Sequence, residues 1–374
     1  MDVIIQLQKL STGFFTIFIV FALTACKSDS KLDFDSFVDK KLTELVIDEN
    51  AQVASIAIVG GNNHYQKHFG KFPDGTKPNS DTVYEIASIT KTYTGLVLAQ
   101  AVADKKVQLD EDIRVYLGDR RYQNLAYSGT PITLRHLATH RSGLPLVFAY
   151  SEEDKNNGKA LELLSKYSKA KFFEDLSQYQ LTSEPGDEYL YSNVGADLVG
   201  YILEKVYNQP FSTLIAKFVT EKSGEQQTKF RLNADEISKI TTGTDGRGNA
   251  VPLLSPHSFA RGGLTSTVEA ISSYMQYLLS SPSAAVALSQ SLLSGSNRAH
   301  GQAFFWNTYK YDSNKPVLYH SGGSIGTSSW LGLYPKQGVG IFIVTNVAGG
   351  NTQEELNDIA DAIIEKYEQL TVLK

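Results

Sequence analysis

The chain has almost no cysteine: Cys26 is the only one in 374 residues. No intrachain disulfide is possible, so the fold must rest on a buried apolar core rather than on covalent cross-links. A basic stripe is also missing. Lys and Arg number 35 against 40 Asp and Glu, a formal net charge of -5, and nowhere do the cations cluster as they do where a protein tracks phosphates. A nucleic-acid partner is therefore not expected. Proline is sparse, at 11 residues, too few for a long stiff linker. No internal repeat or low-complexity block divides the chain. What is present is an ordinary globular balance, 42% hydrophobic and 20% charged, enough for a sizeable core in one compact unit.

The amino terminus departs from that balance. "STGFFTIFIVFALTAC" is nearly all apolar over residues 13–25, following a region whose only positive side chain is Lys9. It is short for a bilayer span and has the proportions of a secretory signal. It ends in "LTAC", which resembles a bacterial lipobox. That likeness implies cleavage after residue 25, lipidation of the Cys26 thiol, and a place in the bacterial cell envelope, anchored to membrane and facing the periplasm or exterior. The alternative is an ordinary signal followed by an unrelated cysteine. Polar residues 26–34 read as a tether.

Further on, residues 34–49 carry apolar side chains at helical spacing, and "VASIAIVG" reads as a buried strand rich in β-branched residues. "SITKTYTGLVLAQAVADKKVQL" predicts a long helix starting near Ser88. Helical pattern and loop continue to about residue 290. "SSWLGLYP" and "VGIFIVTN", separated by "KQG", predict a hairpin. The final segment has Asn351 as N-cap with Glu354 three later. This order predicts an α/β protein of the α+β type: an antiparallel sheet built from both ends of the chain and flanked by terminal helices, with a mostly helical subdomain inserted. The boundaries expected are about 35–85 and 310–370 for the sheet part and about 86–309 for the helices, within a domain over 35–370. A cleft where the two parts meet suits a small ligand.

Three short stretches carry candidate chemistry. In "EIASITKTYTG", Ser88 and Lys91 stand one helical turn apart on one face. A serine hydroxyl needs a base, and a lysine becomes one when burial or a neighbouring cation lowers its pKa. Serine at a helix start is also a common N-cap, so the pair alone decides nothing. In "YLYSNVGADLVG", Tyr191 is a candidate general acid or base, and the Asn193 amide can hold a substrate amide by donor and acceptor together. In "YHSGGSIGTSSWLGLYP", Gly322 and Gly323 after His320 allow a substrate to lie against a strand edge where a backbone N–H meets a developing oxyanion.

Ser88-x-x-Lys91, Tyr191-x-Asn193 and His320-x-Gly322, in that order and spacing, resemble the serine β-lactamase and penicillin-binding protein superfamily. The branch is that of class C β-lactamases and D-alanyl-D-alanine carboxypeptidases. "ITLRHLATHRSGLP", "FARGGLTSTVEAISSYMQYLL" and "GVGIFIVTN" look like that branch too, and the likeness spans about residues 35–370. It implies a serine hydrolase without cofactor or metal. Ser88 would form an acyl-enzyme with Lys91 hydrogen-bonded beside it, and Tyr191 would shuttle the proton. Asn193 would hold the acyl-side amide, and the N–H groups of Ser88 and Gly323 would form the oxyanion hole. The substrate would be a small molecule or a peptidoglycan-derived peptide, and the cleft walls would come from residues 146–180 and 281–315.

One position departs from class C enzymes, whose third motif begins with lysine where this chain has His320. A histidine there resembles carboxypeptidase, D-amino-acid peptidase and esterase members, so weak β-lactam turnover is expected. An imidazole with its ordinary pKa of about 6.5 would titrate across roughly pH 5.5–7.5. Replacement by lysine should then flatten the activity profile in that range.

Rival motifs are weaker. Gly322 to Gly326 match G-x-S-x-G around Ser324, but that elbow needs a following helix and a later histidine. Here a strand pattern follows, and every histidine lies at or before residue 320. His136 and His140 are spaced as metal ligands, yet Leu137 stands where the metalloprotease motif needs glutamate, and ring nitrogens bonded to backbone are the simpler expectation. His64 and His68 read as surface residues of a strand. A non-catalytic receptor that keeps the fold is the rival from another functional class.

Overall fold

The computed structural model describes residues 32–372 except 61–62, 119, 296–299 and 313–314. Cys26, the apolar run before it and most of the expected tether lie outside the described residues. A helix over residues 32–48 (α1) leads into β1 (Val53–Gly60) and β2 (Asn63–Gly70). The helical middle of the chain contributes α2 (Thr90–Ala103), α3 (Asn193–Tyr207) and α4 (Val268–Ser280). The remaining strands of the main sheet are β3 (Ser294–Gly295), β4 (Gly301–Gln302), β5 (Asn307–Asp312), β6 (Lys315–Gly323), β7 (Ser328–Tyr334) and β8 (Val339–Thr345). Helix α5 (Thr352–Val372) closes the chain.

The sheet has the order β2-β1-β8-β7-β6-β5-β4-β3, with every neighbouring pair antiparallel. The amino-terminal strand β1 thus pairs with the carboxy-terminal strand β8, Ile56 opposite Ile343. The hairpin predicted from "KQG" joins β7 and β8. The short edge strands β3 and β4 fall inside the span expected to be helical; two residues each carry too little alternation to read from sequence.

All eight residues of β1 are buried, because the sheet is covered on both faces and its central strands are apolar on both. Ala54, Ile56 and Ile58 meet Val38 and Leu42 of α1 and Ile359 and Ile363 of α5. Ala57 and Val59 point the other way, into the core shared with α2, α3 and α4. Each such aliphatic side chain contributes roughly 1.5–3 kcal/mol by leaving water. Among the described residues no helix is long and apolar enough to cross a membrane.

Two sequence expectations change here. Ser88 caps nothing: it lies in a 3-10 turn, Ala87–Ile89, that precedes α2, and neither helix start has a side-chain cap. His68 is more than a surface residue, since its Nδ1 lies 2.8 Å from the buried Ser55 Oγ, which also meets the Tyr84 hydroxyl at 2.8 Å. Burial lowers the His68 pKa. His64 is exposed, as expected.

Candidate active site

Residues 82–99 are buried with a single exception, Ser88. The backbone immediately before it is strained: Ala87 holds φ at 45°, a left-handed conformation that costs a non-glycine residue roughly 1–2 kcal/mol. The Ser88 N–H, in the first turn, has no acceptor within its own helix.

Lys91 is the deepest charged group of the site, with no exposed surface. Its Nζ donates to Ser88 Oγ at 3.0 Å, to Asn193 Oδ1 at 2.7 Å and to the Arg261 carbonyl at 2.6 Å. Burial pushes its pKa well below the usual lysine range; Asp197 opposes that shift and the Arg261 guanidinium adds to it. In the neutral amine, two N–H bonds satisfy the Asn193 and Arg261 oxygens, which can only accept, and the lone pair takes the place of the N–H that the charged amine gives Ser88. That is the orientation a general base needs.

The Tyr191 ring lies over the same nitrogen, 4.9 Å from its centroid. Burial raises the phenol pKa, although a hydrogen bond to Ser88 works the other way, so Tyr191 is a neutral phenol at pH 7. The residue between the two candidates explains their spacing: Ser192 is the N-cap of α3, accepting from Gly195 N–H at 2.8 Å and donating to the Pro145 carbonyl at 2.8 Å. Tyr191 and Asn193 leave this fixed point toward Lys91.

His320 also reaches this centre, its ring centroid 6.2 Å from that of Tyr191. It is buried, not a solvent-facing imidazole, and burial with the nearby Lys91 charge lowers its pKa to about 3. It therefore does not titrate across pH 5.5–7.5, which corrects the expectation drawn from an ordinary histidine. Nδ1 lies 2.7 Å from the Ser321 carbonyl, which only accepts, so Nδ1 carries the proton and the buried, unpartnered Nε2 is a bare acceptor.

The two glycines separate in role. A Cβ on Gly322 would fall 2.4 Å from the Ile86 carbonyl and 2.2 Å from Ser329 Oγ, so its missing side chain makes room for the segment leading to Ser88, not for a substrate. Gly323 is exposed, and a Cβ there would meet nothing nearer than 3.9 Å. Strand β5 pairs with β6 only as far as Tyr319, leaving the His320–Gly323 edge without β5 beside it. Ser324 turns the chain into β7, its N–H donating to the Thr327 carbonyl at 2.9 Å, so no elbow helix forms.

The cleft over Ser88 is lined by Asn193, Gly323 and Ser324 and by Leu254, Ser258 and Arg261. Among the described residues its wall thus includes residues 254–262, which the sequence reading did not assign, while residues 147–149 border the adjoining pocket. Glu85 ties that wall down, its buried carboxylate accepting from Leu254 N–H at 2.7 Å and Ser255 N–H at 2.5 Å. "FARGG" holds the one signal for Arg261, a cation in an otherwise apolar and glycine-rich stretch.

His136 and His140 are not ligands of one ion. His136 Nδ1 accepts from Thr133 N–H at 3.3 Å in a capping box. His140 Nδ1 accepts from Ser192 N–H at 3.2 Å, and its ring packs 4.3 Å from that of Tyr191.

The profile of the beta-lactamase family matches residues 38–366. The chain belongs to the beta-lactamase family. It is 23% identical over 326 residues to the D-alanyl-D-alanine-carboxypeptidase/endopeptidase AmpH of Escherichia coli strain K12, covering 82% of each chain. Among solved structures it resembles a class C beta-lactamase from Rhodobacter sphaeroides at TM-score 0.72 and 18% identity, covering 88% of this chain and 99% of that one. A beta-lactamase/D-alanine carboxypeptidase from Yersinia pestis superposes at TM-score 0.73 and 21% identity, covering 89% and 99%. These likenesses bear out the fold read from sequence, the serine β-lactamase and penicillin-binding architecture.

Proposed function

We propose that the chain is a serine hydrolase working through an acyl-enzyme, a D-Ala-D-Ala carboxypeptidase, D-amino-acid peptidase or esterase of the cell envelope. The observation that carries this reading is the buried Lys91 amine, held by two fixed acceptors with its third direction on the one accessible serine of the segment. Lys91 takes the Ser88 proton as Oγ attacks the substrate carbonyl. The N–H groups of Ser88 and Gly323 receive the developing oxyanion. Asn193 at the cleft floor holds the acyl-side amide. The Tyr191 phenol, bonded to Ser88, passes the proton to the leaving group, after which water releases the product.

The neutral His320 offers no cation to a substrate carboxylate, whether that of a β-lactam or the free terminus of a D-Ala-D-Ala peptide, so it favours amides, esters and peptides held through other contacts. The AmpH likeness points the same way, toward peptide substrates. A lipid on Cys26 would hold the enzyme at the membrane, a role supported by "LTAC" after an apolar run.

The deciding experiment is a panel of p-nitrophenyl esters, D-Ala-D-Ala peptides, D-amino-acid anilides and nitrocefin, run on the wild type and on Ser88→Ala. Turnover of an ester or D-peptide that Ser88→Ala loses, with slow nitrocefin cleavage, is the expected result. Failure of every acylating probe to label the wild type would leave a non-catalytic binding protein.

A further inference from the structure

Asp197 is buried, with 2% of its surface exposed, and lies one helical turn beyond Asn193 on α3. Its Oδ1 accepts from the Arg261 backbone N–H at 2.9 Å, and its Oδ2 accepts from the Arg261 guanidinium. The other arm of that guanidinium donates to the His257 carbonyl at 3.0 Å. Residue 261 is therefore gripped through both main chain and side chain by one carboxylate. The carbonyl of the same residue is the shortest of the three contacts to Lys91 Nζ. Helix α3 thus places two of the three acceptors around that nitrogen, Asn193 directly and the Arg261 carbonyl through Asp197.

We propose that Asp197 is a positioning residue of the acyl-transfer centre, acting on Lys91 through Arg261. A surface ion pair would not need the backbone N–H as well, and a purely structural pair would not have to touch the residue that receives Lys91. The charge matters too. The other described titratable groups beside Lys91 are Tyr191, just before the α3 N-cap, and the imidazoles of His140 and His320, all neutral at pH 7. Asp197 supplies the negative charge that opposes the effect of burial on the Lys91 amine, while Arg261 offsets part of it. Losing the carboxylate unmasks the Arg261 cation and makes Lys91 easier to deprotonate.

This inference rests on the acyl-enzyme reading, and its test separates the two. Asp197→Asn keeps an oxygen for the Arg261 N–H but loses the charge; Asp197→Ala loses both. In the full chain, Lys91 is titrated by NMR with labelled lysine, and acylation by a fluorophosphonate is followed against pH well below each variant's melting temperature. Asp197→Asn is expected to titrate Lys91 at lower pH, move the acid limb of acylation the same way, and keep most of the plateau rate. Asp197→Ala is expected to lose about tenfold or more at the plateau, the scale of a misplaced catalytic group. An unmoved Lys91 titration in Asp197→Asn overturns the proposal, as does a wild-type plateau in Asp197→Ala. If Asp197→Ala does not fold, the Lys91 titration in Asp197→Asn decides alone. A wild type that no fluorophosphonate labels would refute the hydrolase reading, while the Lys91 titration would still report on Asp197.

Discussion

Lys91 Nζ stands 3.0 Å from Ser88 Oγ, and the lysine has no exposed surface while the serine opens on the cleft. The base is thus dry and the nucleophile accessible. Burial lowers the Lys91 pKa, so the neutral amine that removes the serine proton is populated at lower pH than for an ordinary lysine. Replacing Lys91 by Met fills the same space without a base. Acylation by a fluorophosphonate should fall by roughly 10²–10⁴, the usual contribution of a general base; a loss below tenfold would show that another group takes the proton.

The acid limb of the pH profile should belong to Lys91 and not to His320. His320→Asn keeps a donor for the Ser321 carbonyl and removes the ring. The kcat/KM profile of that variant between about pH 5.5 and 7.5 should keep the same shape as wild type, because an imidazole with a pKa of about 3 does not titrate there. A midpoint that vanishes with the ring would return the titration to His320.

Stability should show His320 where activity does not. Its folded pKa, about 3, lies below the unfolded value of about 6.5, so the unfolded chain binds the extra proton. The stability is intact above about pH 6.5 and is lost as pH falls toward 3, with a slope of up to about 1.4 kcal/mol per pH unit. His140, buried and lowered in the same direction, adds to it. Melting temperatures from pH 7 to 4.5 should drop less steeply in His320→Asn; parallel curves would count against a neutral buried imidazole.

The neighbouring glycines should respond in opposite ways. Gly322→Ala drives a methyl against the Ile86 carbonyl and Ser329 Oγ, and overpacking of this kind costs about 1–3 kcal/mol. Because Ile86 is two residues before Ser88, acylation should fall as well. Gly323→Ala meets open space and should keep its melting temperature. Equal losses in the two variants would refute the packing role given to Gly322.

Ala87 gives a prediction of the opposite sign. Glycine adopts a φ of 45° without the Cβ strain that alanine bears. Ala87→Gly should raise stability by up to about 1 kcal/mol, the strain released less the extra freedom of the unfolded glycine. Ala87→Val should lower it. Denaturant midpoints measure both, and a destabilised Ala87→Gly would mean that the turn holds no strain.

Local pattern was enough to find the pieces. The β-branched run at Val53–Gly60, the hairpin around "KQG" and the terminal helix announce themselves through periodicities of two and 3.6 that neighbouring residues alone enforce. The three motifs, read together, marked Ser88, Lys91, Tyr191, Asn193, His320 and the two glycines before any coordinate. What pattern did not contain was environment. A histidine's pKa depends on what buries it, and His320 is buried by groups far away in the chain, including Lys91 from α2. The pattern around Ser88 allowed either a nucleophile beside Lys91 or a plain N-cap, and only the structure shows that it caps neither helix start and meets the lysine. Arg261 and Asp197 stand 64 residues apart and carry no joint signature, since an ion pair has no sequence period. The sequence by itself determined which side chains exist at helical and strand spacings and hence the sheet, the helices and the candidate nucleophile. Only the tertiary structure decided which of them are dry, which face one another and which protons they hold, because burial and Coulomb interactions depend on distance in space and not along the chain.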